Sequence, residues 1–356
     1  MEKKVVAVGM SGGVDSSVTA YLLKEQGYEV IGITMKHWEG LNDIEKEKSC
    51  CSIEDVNDAK RVCDHLGIPH YTINMKADFK VEVIDYFIDE YRNGRTPNPC
   101  VVCNRKIKLG KLLDFAKSIG AEYIATGHYA VIKEGKLYAA MDNPKDQAYF
   151  LAQIKKESFN SILFPLAGYP KERVREIAKE AGIKVFDKKD SQEICFIEND
   201  DYKDFLKKMT NGDIAKKGDI INENGKILGK HDGTPFYTIG QRKGIGIASP
   251  FPLYVLGVDA KENKVIVGEN EKLYKESIMC NNINIIGAEV LEELKGKELI
   301  VKCRSRDSYH RAVITKAEDD IIEAKFIDPV RAVTPGQVAV FYQEDGLVMA
   351  SGFIEK

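Results

Sequence analysis

The stretch Val5-Val6-Ala7-Val8-Gly9-Met10-Ser11-Gly12-Gly13-Val14-Asp15-Ser16-Ser17 decides how the first part of this 356-residue chain is read. VVAVG (5–9) is a buried-strand run, and a helical pattern follows from Asp15 to about Gln26. Between them, Gly12 and Gly13 let the backbone turn tightly and aim N–H groups at an anion. The positive end of the helix dipole adds to that field. Ser11, Ser16 and Ser17 offer hydroxyls. Asp15 is the odd member, because a carboxylate facing phosphates needs Mg²⁺ between them. The loop is neither G-x-x-x-x-G-K-[ST] nor G-x-G-x-x-G.

Outward from this loop, strand and helix signals alternate to about residue 208. YEVIGITM (28–35), YTINM (71–75) and EYIATG (122–127) read as strands, and 53–66 and 78–92 as helices. Such alternation predicts an α/β fold with a doubly wound parallel sheet whose ligands sit at the carboxyl ends of the strands. Met35 and Gly127 end two of these strands and are expected to line the nucleotide site, with His128 beside them. After residue 208, glycines at 212, 218, 225, 229, 233, 240, 244 and 246 punctuate short apolar runs. YVLGVDAKENKVIVG (254–268) reads as a hairpin, and residues 276–356 hold six more strand-like runs. The expected domains are 1–208, a small central β-rich unit at 209–275, and a C-terminal β-barrel at 276–356.

Lys and Arg total 52 against 55 Asp and Glu, a net charge of −3. That excludes a uniformly basic coat but not a local basic face. No apolar run reaches the ~18 residues of a membrane span, and no secretory signal is visible. The expected location is therefore the cytoplasm. In that compartment eight cysteines point to thiols, catalysis or metal ligation rather than structural disulfides.

GRTPNPCVVCNRKIK (94–108) is the second strong signal. Its prolines argue against a helix before Cys100, and Asn104 is a candidate cap for one starting near Arg105. A cysteine there, among Arg105, Lys106 and Lys108, is expected to hold more thiolate. Cys195 lies in DSQEICF (190–196). Sulfur transfer by persulfide needs two thiols, one to carry the terminal sulfur and one to release it. Cys50, Cys51, Cys63, Cys280 and Cys303 are expected to be small buried hydrophobes.

SGGVDS resembles the pyrophosphate loop of N-type ATP pyrophosphatases. Taken in order, SGGVDSS, GRTPNPxxxCN, ATGHY, KDQAYFL, DSxxICF, GTPFYTIGQRKGIGI and TPGQ resemble the tRNA-specific 2-thiouridylase family along essentially the whole chain. The resemblance implies ATP contacts from Gly9, Met10, Ser11, Gly12, Gly13, Val14, Asp15, Ser16, Met35 and Gly127, with Asp15 acting through Mg²⁺. It implies Cys103 as nucleophile and Cys195 as the persulfide carrier. It implies tRNA contacts from Pro97, Asn98, Pro99, His128, Lys145, Asp146, Gln147, Arg304, Ser305 and Gln337. The implied reaction adenylates the C2 oxygen of a wobble uridine, then installs sulfur, in tRNAs for Lys, Glu and Gln. The donor is a persulfide relay protein or inorganic sulfide.

One position departs from the family, since many members have Asp where this chain has Cys100. Either Cys100 replaces the acid, or Cys100, Cys103 and Cys195 hold a [4Fe–4S] cluster with one open iron, as in some related thiolases. Three basic clusters, at 105–111, at Arg242-Lys243 and at 302–311, are expected to meet phosphates. Two other readings stay open. One is an ATP pyrophosphatase acting as an amide-forming ligase, which needs no thiols. The other is a cysteine-ligated module that binds RNA without catalysis, which leaves the loop at 11–17 unused.

Overall fold

The computed structural model describes residues 3–38, 40, 53–140, 145–188 and 194–355. They form two compact units, Met1–Ile84 with Cys100–Asp200, and Asp85–Pro99 with Asp201–Lys356.

The first unit is built on five strands: β1 (Val5–Gly9), β2 (Glu29–Lys36), β3 (His70–Asn74), β4 (Tyr123–Ala125) and, after a short β5–β6 hairpin (Val131–Lys133, Lys136–Tyr138), β7 (Ile162–Leu163). The sheet order is β3-β2-β1-β4-β7 and every pairing is parallel. The order reverses between β1 and β4, so loops leaving their carboxyl ends diverge and open a crevice there. Helices Val14–Glu25, Ile53–Leu66 and Lys171–Glu180 pack on the sheet. Their apolar residues recur at three- and four-residue spacing, as in Val14, Val18 and Val174, Ile177, Ala178, and close over Val6 and Val8. Each fully buried Val among them contributes about 1.5–3 kcal/mol.

The expected helix at 78–92 begins earlier and is not uniform. It runs as Lys76–Phe79, a widened turn at Lys80–Asp85, then Tyr86–Arg92. A second widened run, Asn104–Lys111, follows helix Pro99–Cys103.

The second unit holds two β structures. A four-stranded sheet has the order β10-β11-β8-β9, from β8 (Gly218–Asn222), β9 (Ile227–His231), β10 (Tyr254–Asp259) and β11 (Lys264–Gly268). β10 and β11 are the expected antiparallel hairpin. The six later runs form a closed barrel from β12 (Tyr274–Ile285), β13 (Glu298–Lys302), β14 (His310–Glu318), β15 (Ile321–Arg331), β16 (Val338–Tyr342) and β17 (Val348–Ile354). Its order is β12-β15-β14-β13-β16-β17, and β17 pairs back onto β12. Closure removes exposed strand edges. Ile322, Ala324 and Phe326 alternate inward on β15, whereas β16 and β17 are buried at every position. Among the described residues, no helix is long and apolar enough to cross a membrane.

Candidate active site

β1 delivers the loop to the switch point. Met10 N–H donates to the Ile33 carbonyl at 2.8 Å, and Thr34 Oγ1 donates to the Met10 carbonyl at 3.0 Å, which fixes the base of the loop to β2. Gly12 has φ +73°, and a Cβ there would lie 2.4 Å from the Asp55 carbonyl oxygen, so only glycine fits. Gly13 caps helix Val14–Glu25 with no side-chain bond to the helix N–H groups, which leaves that end to a ligand.

Ser11 is exposed, and its Oγ lies 3.2 Å from Ser16 Oγ. Ser16 Oγ and Ser17 Oγ donate to the Gly13 carbonyl at 3.1 and 2.8 Å. Ser17 is 0 % exposed. Of the three hydroxyls the sequence offers, that of Ser17 is turned inward onto the turn itself. Gly127 is glycine for a steric reason, since a Cβ would lie 2.8 Å from Asp15 Cβ and 3.0 Å from Ser16 N. Gly9 and the half-buried Met35 lie at the carboxyl ends of β1 and β2.

Asp15 is held more tightly than its sequence suggests. Lys171 Nζ lies 2.7 Å from both carboxylate oxygens, and Tyr129 OH donates to Oδ1 at 2.8 Å. Lys171 is buried, with its Nζ 6.0 Å from the Tyr129 ring centre. Sequence reasoning missed Lys171, which supplies a cation to this loop, and Tyr129, which adds a hydroxyl donor. The available clue was Lys171 opening a helix immediately after Pro170. Lys188 was missed too. Its Nζ reaches Gly12 O at 3.3 Å, Asp55 Oδ1 at 2.7 Å and Asp58 Oδ2 at 2.9 Å. Burial pulls this ammonium down, but its bonds to Asp55 and Asp58 reverse that and leave it above the ordinary lysine value.

The cysteine segment also differs from expectation. The helix starts at Pro99, not near Arg105. Proline at the first helical position loses no intrahelical bond, so it opens a helix as readily as it breaks one. Asn104 is therefore inside the helical run, buried, with Nδ2 donating to the Phe150 carbonyl at 3.1 Å. Cys103 is 7 % exposed and Cys100 is partly buried. Burial first, then Cys195, push the Cys100 thiol up to about 11, and the Lys108 charge only partly offsets this. At Cys100, desolvation outweighs the positive surroundings. Cys195 Sγ lies 3.8 Å from His37 Nε2.

The structure gives no support to a [4Fe–4S] cluster at these positions. Among the described residues, no group of three or more His, Cys, Asp or Glu side chains is arranged to hold a metal. No described cysteine is in a disulfide; Cys63, Cys280 and Cys303 are buried, and Cys50 and Cys51 lie outside the described residues.

The expected nucleic-acid contacts divide. His128 Nδ1 lies 2.7 Å from Thr126 Oγ1, and burial, then Lys108, push the imidazole down to about 3, so it is neutral. Lys145 is exposed. Asp146 accepts from Ala140 and Ala148 N–H, and Gln147 Oε1 accepts from Tyr129 N–H at 2.9 Å, so both build the loop. Arg105 donates to Gln153, while Lys106 and Lys111 pair with Glu82 and Asp78. Those three are correspondingly less available as phosphate contacts.

In the second unit, Pro97, Asn98 and Pro99 are buried, and Gln337 Nε2 donates to the Thr96 and Pro97 carbonyls at 2.8 and 3.2 Å. Arg242 and Lys243 are exposed on a turn that Gln241 closes. Arg304 and Ser305 are half-exposed on the loop between β13 and β14. Arg311 is committed to Glu298 and Glu344.

Three family descriptions match in chain order: a tRNA methyl transferase HUP domain over residues 4–199, a tRNA methyl transferase PRC-barrel domain over 203–269, and an aminomethyltransferase β-barrel domain over 275–354. The tRNA-specific 2-thiouridylase MnmA 1 of Fusobacterium nucleatum subsp. nucleatum is 50 % identical over 352 residues, covering 99 % of this chain and 93 % of its own. That of Caldanaerobacter subterraneus subsp. tengcongensis is 48 % identical over 359 residues, covering 99 % and 98 %. That of Clostridium botulinum (strain Loch Maree / Type A3) is 45 % identical, covering 99 % and 100 %. With the motifs, the switch-point loop and this end-to-end similarity in agreement, the chain belongs to the tRNA-specific 2-thiouridylase family.

Proposed function

We propose that this protein is a tRNA-uridine 2-sulfurtransferase that activates the C2 oxygen of a wobble uridine with ATP and replaces it with sulfur. The observation that carries this reading is that one unit holds both an anion-binding loop at a sheet switch point and the free thiols Cys100, Cys103 and Cys195. A ligase has no use for the second feature, and an RNA-binding module has none for the first.

ATP would enter as its magnesium salt; Asp15 is the residue that would offer the ion a carboxylate oxygen, and the ion would neutralise phosphate charge. The N–H groups from Ser11 to Gly13 and the Lys171 charge face the developing negative charge. Uracil O2 attacks the α-phosphorus and pyrophosphate leaves, so a poor leaving oxygen becomes AMP. Cys195 carries the incoming sulfur as a persulfide. Cys103 attacks Cys195 Sγ and releases hydrosulfide, leaving a Cys103–Cys195 disulfide that an external thiol reduces. Hydrosulfide attacks C2 and AMP departs. The family resemblance supports tRNAs for Lys, Glu and Gln as substrates, a persulfide relay protein as donor, and the cytoplasm as location. The target base must leave its stack, which an anticodon loop allows at low cost.

The test is nucleoside mass spectrometry after incubation with ATP, Mg²⁺, a persulfide donor and unmodified tRNA for Lys. Wild-type protein makes 2-thiouridine. Cys103→Ser and Cys195→Ser each make none yet still release pyrophosphate. Thiouridine retained in either variant overturns that cysteine's role, and none from wild type overturns the proposal.

A further inference from the structure

His37 stands just past the end of β2 and belongs to none of the motifs that define the site. Its Nε2 lies 3.8 Å from Cys195 Sγ, within hydrogen-bond reach for sulfur, and its Nδ1 lies 3.4 Å from the Met35 carbonyl oxygen. A carbonyl oxygen can only accept, so the ring nitrogen facing it carries the proton. The lone pair of the neutral ring is then on Nε2, aimed at the thiol. The fully buried Phe79 fixes both partners. Its ring centre is 4.7 Å from that of His37 and 5.7 Å from that of Phe196, the neighbour of Cys195. Nucleophile, base and orienting group thus stand in sequence, as in activated cysteine sites.

Among the described residues, the Cys100 thiol is coupled to Cys195 and to the Lys108 ammonium. Cys195 raises the Cys100 thiol and Lys108 lowers it, with burial the largest influence. Cys100 therefore stays protonated at neutral pH, while Cys195 has a base within reach.

We propose that His37 is the catalytic base that takes the Cys195 proton when sulfur is loaded from a persulfide. The inference rests on Cys195 as the sulfur carrier and adds the base. The proton moves from Sγ to Nε2. The thiolate attacks the outer sulfur of the donor R–S–SH, a new S–S bond forms on Cys195, and the donor S–S bond breaks with its electron pair leaving as R–S⁻. No net oxidation occurs. Inorganic sulfide cannot load a thiol this way, because making a persulfide from two reduced sulfurs requires an oxidant.

The test follows iodoacetamide alkylation of Cys195 in the full chain, read at the Cys195 peptide by mass spectrometry across pH. An ordinary thiol of pKa about 8.5 is only a few per cent thiolate at pH 7. Paired with His37, Cys195 is expected to react about tenfold faster than that at pH 7 and to level off near there. His37→Gln is expected to restore the ordinary profile, with about a tenfold loss at pH 7, and to slow persulfide loading from cysteine persulfide to match. An ordinary profile in the wild-type chain overturns the inference without any variant, so a misfolded variant cannot hide the answer. Equal rates at pH 7 in a folded His37→Gln protein overturn it too. The assay contains no tRNA, so the two readings fail separately. An activated Cys195 in a chain that makes no thiouridine sinks the sulfurtransferase reading alone. An ordinary Cys195 in a chain that does make it sinks the base alone.

Discussion

The nucleotide loop and the thiol site belong to the same unit but are held in opposite ways. Around the loop the contacts are charged and short: Lys171 grips both Asp15 oxygens at 2.7 Å, and Lys188 ties Gly12 to Asp55 and Asp58. Around Cys195 the contacts are soft: a nitrogen at 3.8 Å and the aromatic packing of Phe79 against His37 and Phe196. Phosphoryl chemistry is catalysed mainly by fixed charge, which works only if the donors do not move. Sulfur relay needs a thiol whose proton can leave and whose sulfur a donor can reach. Each half of the site has the mechanics that its proposed step requires.

That contrast can be broken first on the soft side. Phe79→Ala is expected to cost about 3–5 kcal/mol of stability, as removal of a fully buried aromatic does, read as a lower urea midpoint. A loss under about 1 kcal/mol shows that the ring is not what holds His37 and Phe196.

On the charged side, Lys171→Met leaves the Asp15 carboxylate, among the described residues, with Tyr129. Pyrophosphate release is expected to fall about 10²-fold or more, comparable to losing one preorganised charge-stabilising donor. A fall under threefold places the working cation elsewhere and weakens the contrast. Lys188→Met removes a tether rather than a reacting charge. About a tenfold rise in KM for ATP with kcat little changed is expected, equivalent to about 1.4 kcal/mol of binding. A kcat loss without a KM change instead makes Lys188 part of the chemistry.

The smallest effect in the working range concerns Cys100. Its thiol is raised to about 11 by burial, so its neutral form stabilises the folded chain. That contribution is complete below the unfolded thiol value of about 8.5 and is lost as pH rises towards 11. Alkaline unfolding of wild type and Cys100→Ala should therefore converge over that window while their difference stays constant from about pH 6 to 8. A difference that shrinks near pH 7 contradicts the protonated thiol.

Much of this was legible along the chain because its signals are local. The run at 5–17 showed strand, turn and helix cap in one place, and EYIATG announced β4. Six apolar runs after residue 276 became six barrel strands. Pro99 misled because the same ring that forbids a helix interior suits a helix start. The partners that complete the site were invisible for a different reason. Lys171 is 156 residues from Asp15, Lys188 is 176 from Gly12, and Cys195 is 158 from His37. No periodicity or spacing links residues so far apart.

By itself the sequence determined the parallel sheet, the anion loop, the barrel and the cysteines to watch, since each follows from backbone preference or residue chemistry within a few positions. Only the tertiary structure decided which charge neutralises Asp15, why residue 127 has no room for a side chain, that Cys100 keeps its proton, and which base faces Cys195. Those outcomes depend on desolvation and on distances between chain segments, and neither exists until the chain has folded.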